Sequence, residues 1–305
     1  MKYIMLLILS FAGTLSAQNN VAFLHVAAPA PVKAASPVAT FSTANFDLSA
    51  GMIIVSASIN NQSGNFILDT GAPGIVLNTR QQAGEAHNNA TGMGGDLKVG
   101  TCDILEFEWG IIRQENFQAY TLDISHLEKA CGRPLMGLIG YDVLQQHEIL
   151  FDFPNKTVKV FPSADPGLQQ NKNNATAIPF YRCGHIPVIK VRVGERRLLL
   201  GLDSGAGVNV LDANLLEKMD ETLLSELSTE EVTGLDNQPV SLHAATLYGS
   251  SVKKRELPPM RFVFTDLSVL REKFDASFDG LLGFPFFQDQ TMSVNYRENK
   301  IYIWN

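Results

Sequence analysis

Cysteine is scarce, three residues in 305 (Cys102, Cys131 and Cys183). That number excludes a disulfide-dense scaffold and a four-thiolate zinc site. Histidine is thin as well: six residues are scattered with no His-x-x-x-His spacing and no Glu-bearing helical pair, so a zinc peptidase lacks its ligands. No Gly-x-Ser-x-Gly elbow and no phosphate-cradling glycine loop occurs, which removes the usual serine-hydrolase and nucleotide-binding readings. Basic charge is in short supply, with 24 Lys and Arg against 31 Asp and Glu and a formal net charge of -7. A face that neutralises phosphates needs the opposite sign, so nucleic acid is not an expected partner. The charge is nevertheless modest and 45% of residues are hydrophobic, so general disorder is excluded. The short basic runs Arg196-Arg197 and Lys253-Lys254-Arg255 read as solvated faces.

The first residues have their own pattern. Met1-Lys2 supplies a positive start, Tyr3 to Phe11 is a short apolar run, and Thr14-Leu15-Ser16-Ala17 ends in small residues. This is the order of a secretory signal, with cleavage expected after Ala17. The run is too short for a membrane span, which needs about 20 residues, so no span is expected once it is removed. The chain is therefore expected to be exported, to periplasm, cell surface or medium. Export permits a disulfide, and Cys102–Cys131 is one reading; three buried thiols is the other. Residues 18–45, rich in Ala, Pro, Ser and Thr, read as an extended leader, either propeptide or spacer.

After the leader the sequence makes two passes of one plan. The first has a strand Met52–Ile59, a turn Asn60–Gly64, then NFILDTGAPGIVLN from Asn65 to Asn78. The second has a strand His185–Val193, a turn Gly194-Glu195, then RLLLGLDSGAGVNVLD from Arg197 to Asp212. Each is an alternating strand, a hairpin turn and an apolar strand ending in Asp-(Thr/Ser)-Gly-Ala. Asp69 and Asp203 stand 134 residues apart. The second halves agree too: GLIGYDVLQQHEILFDFPNKTVKVF at 137–161 matches GLLGFPFFQDQTMSVNYRENKIYIW at 280–304. Gly137 follows Asp69 by 68 residues and Gly280 follows Asp203 by 77. A helix capped by Asp212, with Leu215, Met219, Leu223 and Leu227 on one face, is expected to take up much of the difference. Phe284, Phe286, Phe287 and Trp304 read as core. The partition is a signal at 1–17, the leader at 18–45, an N-terminal lobe at 46–163, a linker at 164–173 and a C-terminal lobe at 174–305.

One Asp-(Thr/Ser)-Gly is only a good turn, since Asp and Ser bond local backbone and Gly bends readily. Two copies, each behind an apolar strand and each followed by Gly-Leu-(Ile/Leu)-Gly, resemble the aspartic peptidases of the pepsin and retropepsin superfamily. The matching residues are Asp69-Thr70-Gly71 with Leu138-Ile139-Gly140, and Asp203-Ser204-Gly205 with Leu281-Leu282-Gly283. The resemblance implies an all-β, bilobal fold of two homologous barrel-like lobes with a few short helices. It implies one catalytic Asp from each lobe, loops held by Thr70 and Ser204 across the interface, and Gly71 and Gly205 where the backbones approach. The hydrophobic-hydrophobic-Gly strands would support those loops. Pepsin-like enzymes usually carry Ser or Thr after the Gly; Ala72 and Ala206 look like retroviral and bacterial retropepsin-like domains. Loss of that hydroxyl should raise the carboxyl pKa and move the activity optimum towards weakly acidic pH.

Hydrolysis of a peptide needs a water, a base and an acid, and two close carboxyls sharing a proton supply both. They titrate as a pair, so acid and base are not assigned to either Asp. The flap that covers substrate in this family has candidates at Thr91-Gly92-Met93-Gly94-Gly95 and Val232-Thr233-Gly234-Leu235-Asp236, which could equally be ordinary hairpin turns. The resemblance implies an exported endopeptidase acting on peptide or unfolded protein, without metal or cofactor. It would be monomeric, since both halves of the site lie in one chain. The alternative is a non-catalytic relative that holds peptide in the same cleft.

Overall fold

The two passes of the sequence fold as two closed sheets with the same strand order. The computed structural model describes residues 4–6, 41–80, 85–91, 96–163, 172–234, 237–274 and 278–304. In the N-terminal lobe, Met52–Ile59 pairs with Gln62–Leu68, and the ring continues through Gly137–Ile139, Val76–Asn78, Ile112–Leu122 and Asp96–Trp109. It closes where Ser58 and Ile59 pair with Glu108 and Phe107. The hairpin turn is tighter than the sequence suggests: Asn60 and Asn61 both take positive φ, 47° and 63°, and the second strand begins at Gln62. Asn tolerates this conformation, which matches the twist of the paired strands.

The C-terminal lobe repeats the ring as Ile186–Val193, Arg196–Leu202, Gly280–Leu282, Asn209–Asp212, Met260–Thr265 and Pro239–Leu247. Its last strand breaks at Tyr248-Gly249, where Gly249 has φ 63°, and Ser250–Val252 completes the closure against Arg192 and Val193. The first strands of the two lobes bury the same positions and turn Ser56 and Ser58, or Lys190 and Arg192, away from the core.

The helix expected after Asp212 does not form. The chain makes two short 3-10 turns, Ala213–Lys218 and Glu221–Leu223, and then enters the strand Ser228–Gly234. Asp212 caps the first turn at Asn214, and Asp220 caps a second start at Thr222. Met219 is extended between them (φ -86°, ψ 150°). Two caps eight residues apart divide the segment, because a capping residue itself has non-helical geometry. Met219 is buried, whereas Leu227 is 47% exposed.

A third sheet joins the lobes, ordered Ala175–Pro179, Lys300–Trp304, Thr291–Asn295, His147–Asp152, Thr157–Pro162 and Ser42–Asn45. Ser42–Asn45, read as the end of an unpatterned leader, is thus an edge strand. At the centre Leu150 faces Ser293, its own counterpart 143 positions later, so an approximate two-fold axis runs between them. Glu148 is buried beside this axis and fully compensated. It accepts from Ser293 Oγ (2.6 Å) and Asn295 Nδ2 (2.7 Å) and pairs with Lys172 Nζ at 2.7 Å. Lys172 lies over the Tyr302 ring, 4.1 Å from its centroid. Of the expected linker 164–173, residues 164–171 lie outside the described residues, and Lys172 begins a 3-10 turn, Lys172–Asn174.

The three cysteines are free thiols. Cys102–Cys131 does not form: Cys131 packs with Leu127 and Leu135, whereas Cys102 lies against a different apolar cluster. The expected signal lies mostly outside the described residues; Ile4–Leu6 forms a strand parallel to Val232–Gly234. Among the described residues no helix is long and apolar enough to cross a membrane.

Candidate active site

Each aspartate sits at the end of a strand whose neighbour explains the paired motif. Gly137–Ile139 lies parallel to Phe66–Leu68, and Gly280–Leu282 lies parallel to Leu200–Leu202. The carbonyl of Ile139 accepts from the Asp69 amide at 2.9 Å, and that of Leu282 accepts from the Asp203 amide at 3.0 Å. Leu138 and Leu281 are buried in the cores behind the loops. Gly140 and Gly283 end these strands because nothing larger fits. A Cβ on Gly140 would lie 2.4 Å from Ala72 O, and one on Gly283 would lie 2.5 Å from Ala206 O. The next amides, of Tyr141 and Phe284, donate to those same two carbonyls at 2.9 and 2.7 Å.

The loops interlock across the lobe boundary. Thr70 Oγ1 donates to Leu202 O (3.1 Å) and accepts from the Ser204 amide (2.9 Å). Ser204 Oγ donates to Leu68 O (2.8 Å) and accepts from the Thr70 amide (3.0 Å). Each hydroxyl thus uses its donor and an acceptor on the opposite lobe, in a buried setting where an unpaired group is costly. The expected closeness at the glycines is present. A methyl group on Gly71 would lie 2.5 Å from Asp203 Cγ, and one on Gly205 would lie 2.4 Å from Asp69 Cγ. Each carboxyl rests on the other lobe's glycine.

Asp69 and Asp203 are 0% and 1% exposed, so their charge is felt strongly. Burial pushes Asp69 up to about 7, against hydrogen bonds from the Asp203 side chain and from the Gly71, Ala72 and Gly205 amides. Asp203 is pushed well above the carboxylate range by burial, then by the charge of Asp69 and the hydrogen bond to it. Its Oδ1 accepts from the Gly205 and Ala206 amides at 3.0 and 3.1 Å. Asp69 Oδ1 accepts from the Gly71 amide at 2.8 Å, while its buried Oδ2 has no further donor among the described residues. A hydrogen bond between the two carboxyls needs one proton on the pair. The pair therefore favours one shared proton.

Four aromatic or basic residues around the loops escaped the sequence analysis. His185 Nε2 donates to Gly71 O at 2.7 Å, across the lobe boundary. Burial keeps this imidazole neutral by lowering its pKa. Tyr141 stands 6.4 Å from the His185 ring and 5.2 Å from that of Tyr296, and Arg182 Nη1 donates to its hydroxyl at 2.5 Å. The Tyr296 hydroxyl is buried without a partner among the described residues, and burial with the nearby Tyr141, Asp69 and Asp203 holds it protonated. Aligning the two passes would have found His185, which falls opposite Gly51, and Tyr296, which falls opposite Phe153.

Of the flap candidates, residues 92–95, 235 and 236 lie outside the described residues; the strands that flank them are paired. Glu85–Thr91 pairs with Asp96–Trp109, and Gly92, Gly94 and Gly95 between them lie outside the described residues. Ser228–Gly234 pairs with Pro239–Leu247, with Gly234 the last residue of its strand. Among the described residues no group of three His, Cys, Asp or Glu is placed to hold a metal ion.

No family model matches the chain, and no curated protein matches its sequence. Among solved structures it is similar to basic 7S globulin from soybean, with a TM-score of 0.49 and 8% identity over 87% of this chain and 94% of that one.

Proposed function

We propose that the protein is an exported aspartic endopeptidase acting on peptides or unfolded polypeptides. The observation that carries this reading is the reciprocal seating of two carboxyls from loops 134 residues apart, each against the other lobe's glycine. In the proposed reaction a water between them attacks the peptide carbonyl carbon. The ionised carboxylate of the pair takes the proton from water while the protonated carboxyl gives its proton to the carbonyl oxygen. The tetrahedral species collapses as the second carboxylate recovers that proton and the first passes its own to the leaving amine, which restores the starting pair. Thr70 and Ser204 hold the loops in register throughout.

The complete burial of both carboxyls favours a second reading, a peptide-holding protein in which the pair is structural. Casein hydrolysis from pH 3 to 8, with and without a statine-type inhibitor, separates the two. Hydrolysis blocked by the inhibitor and absent in Asp69→Asn supports the peptidase. Tight inhibitor binding without hydrolysis supports the peptide holder. Export is proposed from the N-terminal pattern alone, and a secreted product beginning at Gln18 would support it. Both Asp loops lie in one chain, and on that ground the active unit is proposed to be a monomer; sedimentation as a dimer would count against it.

A further inference from the structure

The duplicated fold carries one groove twice. On the N-terminal lobe a groove of about 480 Å³ is lined by Ser56, Ser58, Ser63 and Glu108. On the C-terminal lobe its counterpart, about 510 Å³, has Lys190, Arg192, Arg197 and Ser251 at the equivalent positions. Register fixes how close these charges are. Arg192 stands directly opposite Arg197, with Ser251 opposite it on the other side, and Lys190 lies two residues along the same face. Like charges directly opposed on neighbouring strands are destabilising. The architecture does not require them, because Ser58 faces Ser63 at the matching place in the other lobe. Nor are they neutralised within the chain. Among the described residues no carboxylate forms an ion pair with Lys190, Arg192 or Arg197. Arg192 Nε donates to Gly194 O at 2.8 Å, which anchors that guanidinium and leaves its terminal nitrogens without an acceptor among the described residues. The wall beside the cations is apolar, with the exposed Pro179 and the half-exposed ring of Tyr181.

We infer that this groove binds a soluble phosphorylated small molecule with an apolar or aromatic body. One phosphate dianion offers three free oxygens and up to two negative charges to two opposed guanidinium forks, a closer match to this excess of cations than the single charge of a carboxylate. Lys190 adds a third charge at the flank, and the apolar body lies along Pro179 and Tyr181. The groove has the volume usual for small-molecule sites. It shares no residue with the Asp loops, so the inference is independent of peptide hydrolysis.

The test is calorimetric titration of the whole protein with phenyl phosphate at fixed ionic strength, with phenol as the uncharged control. One saturable site is expected for phenyl phosphate and none for phenol. The triple variant Lys190→Ser, Arg192→Ser, Arg197→Ser installs the residues of the other lobe and is expected to bind at least about tenfold more weakly, the scale of one charge-assisted contact. Its melting temperature should equal or exceed the parent's, because an unbalanced charge cluster has been removed. Arg192→Lys keeps the charge but loses the fork, and should bind several-fold more weakly than the parent. Absence of saturable binding up to about 10 mM, or parental affinity in the triple variant, overturns the proposal. Binding to phosphatidic acid vesicles without binding to phenyl phosphate would also overturn it, in favour of a membrane surface.

Discussion

The hydroxyls of Thr70 and Ser204 make the same pair of bonds across the lobe boundary, whereas the outer grooves of the two lobes share shape and not charge. At the interface a change in one loop must be answered in the other, because Thr70 and Ser204 each satisfy groups on the opposite lobe. On the outer faces no such reciprocity operates, and Ser56, Ser58 and Ser63 have become or replaced Lys190, Arg192 and Arg197 without altering strand pairing. Between these extremes lie positions that are asymmetric yet buried. Glu148 has Thr291 as its counterpart, His185 has Gly51, and Tyr296 has Phe153. Sameness thus marks what both halves must do together, and difference marks what one half does alone.

The comparison can be broken most severely at the dyad. Asp69→Asn and Asp203→Asn are each expected to lower peptidase kcat by about 10³-fold or more, since neither a base nor an acid works without its partner. Retention of activity by either variant would show that the halves are not functional equals. Next in size is Lys172→Met, which strands the buried Glu148 carboxylate. Chemical denaturation should report a loss of about 3–5 kcal/mol, the range for breaking a buried ion pair from one side. Thr70→Val and Ser204→Ala should be destabilising by similar amounts, about 1–3 kcal/mol each, because each orphans one buried amide and one carbonyl. Clearly unequal values would show that the interlock is less symmetric than its distances.

The dyad also sets a pH dependence. The folded carboxyls hold protons that the unfolded chain releases near pH 4, so rising pH should weaken the fold progressively until both carboxyls have ionised. Asp203→Asn removes part of that slope. Its melting temperature relative to the parent should climb between pH 4 and pH 7, and a flat difference would contradict the raised carboxyl pKa values. The same direction predicts activity that rises from pH 3 towards neutrality. The smallest effect is expected from His185→Ala, about 1 kcal/mol from one lost hydrogen bond to Gly71 O, seen as a modest fall in kcat with KM little changed. Asn at this position, which keeps a donor, should recover part of it.

Much of this fold was legible because repetition doubles every signal. The Asp strands and the glycines at 140 and 283 follow from pattern at matching places. The segment after Asp212 was misread because leucines four apart imply a helix only if nothing interrupts the backbone, and Asp220 does so by capping its own turn. Ser42–Asn45 was hidden because an edge strand draws its order from its partner Thr157–Val160, not from its own composition. The ring of Tyr141, His185 and Tyr296 could not be read from either pass alone, since the two lobes contribute to it jointly. Arg197 was read only within the short solvated run Arg196-Arg197, because Arg192 becomes its neighbour only after the hairpin closes.

The position of the approximate axis between Leu150 and Ser293 has a further consequence. The register that joins the two central strands would also join two copies of either one. Set against its own twin, His147–Asp152 would bring Glu148 opposite Asp152, acid facing acid, with neither Asn295 nor Ser293 to receive the carboxylate. Thr291–Asn295 set against its twin would keep those amide and hydroxyl donors but offer them no anion. Each half is thereby a poorer mate for itself than for its sister, and the duplicated molecule is guarded against exchanging halves with its neighbours.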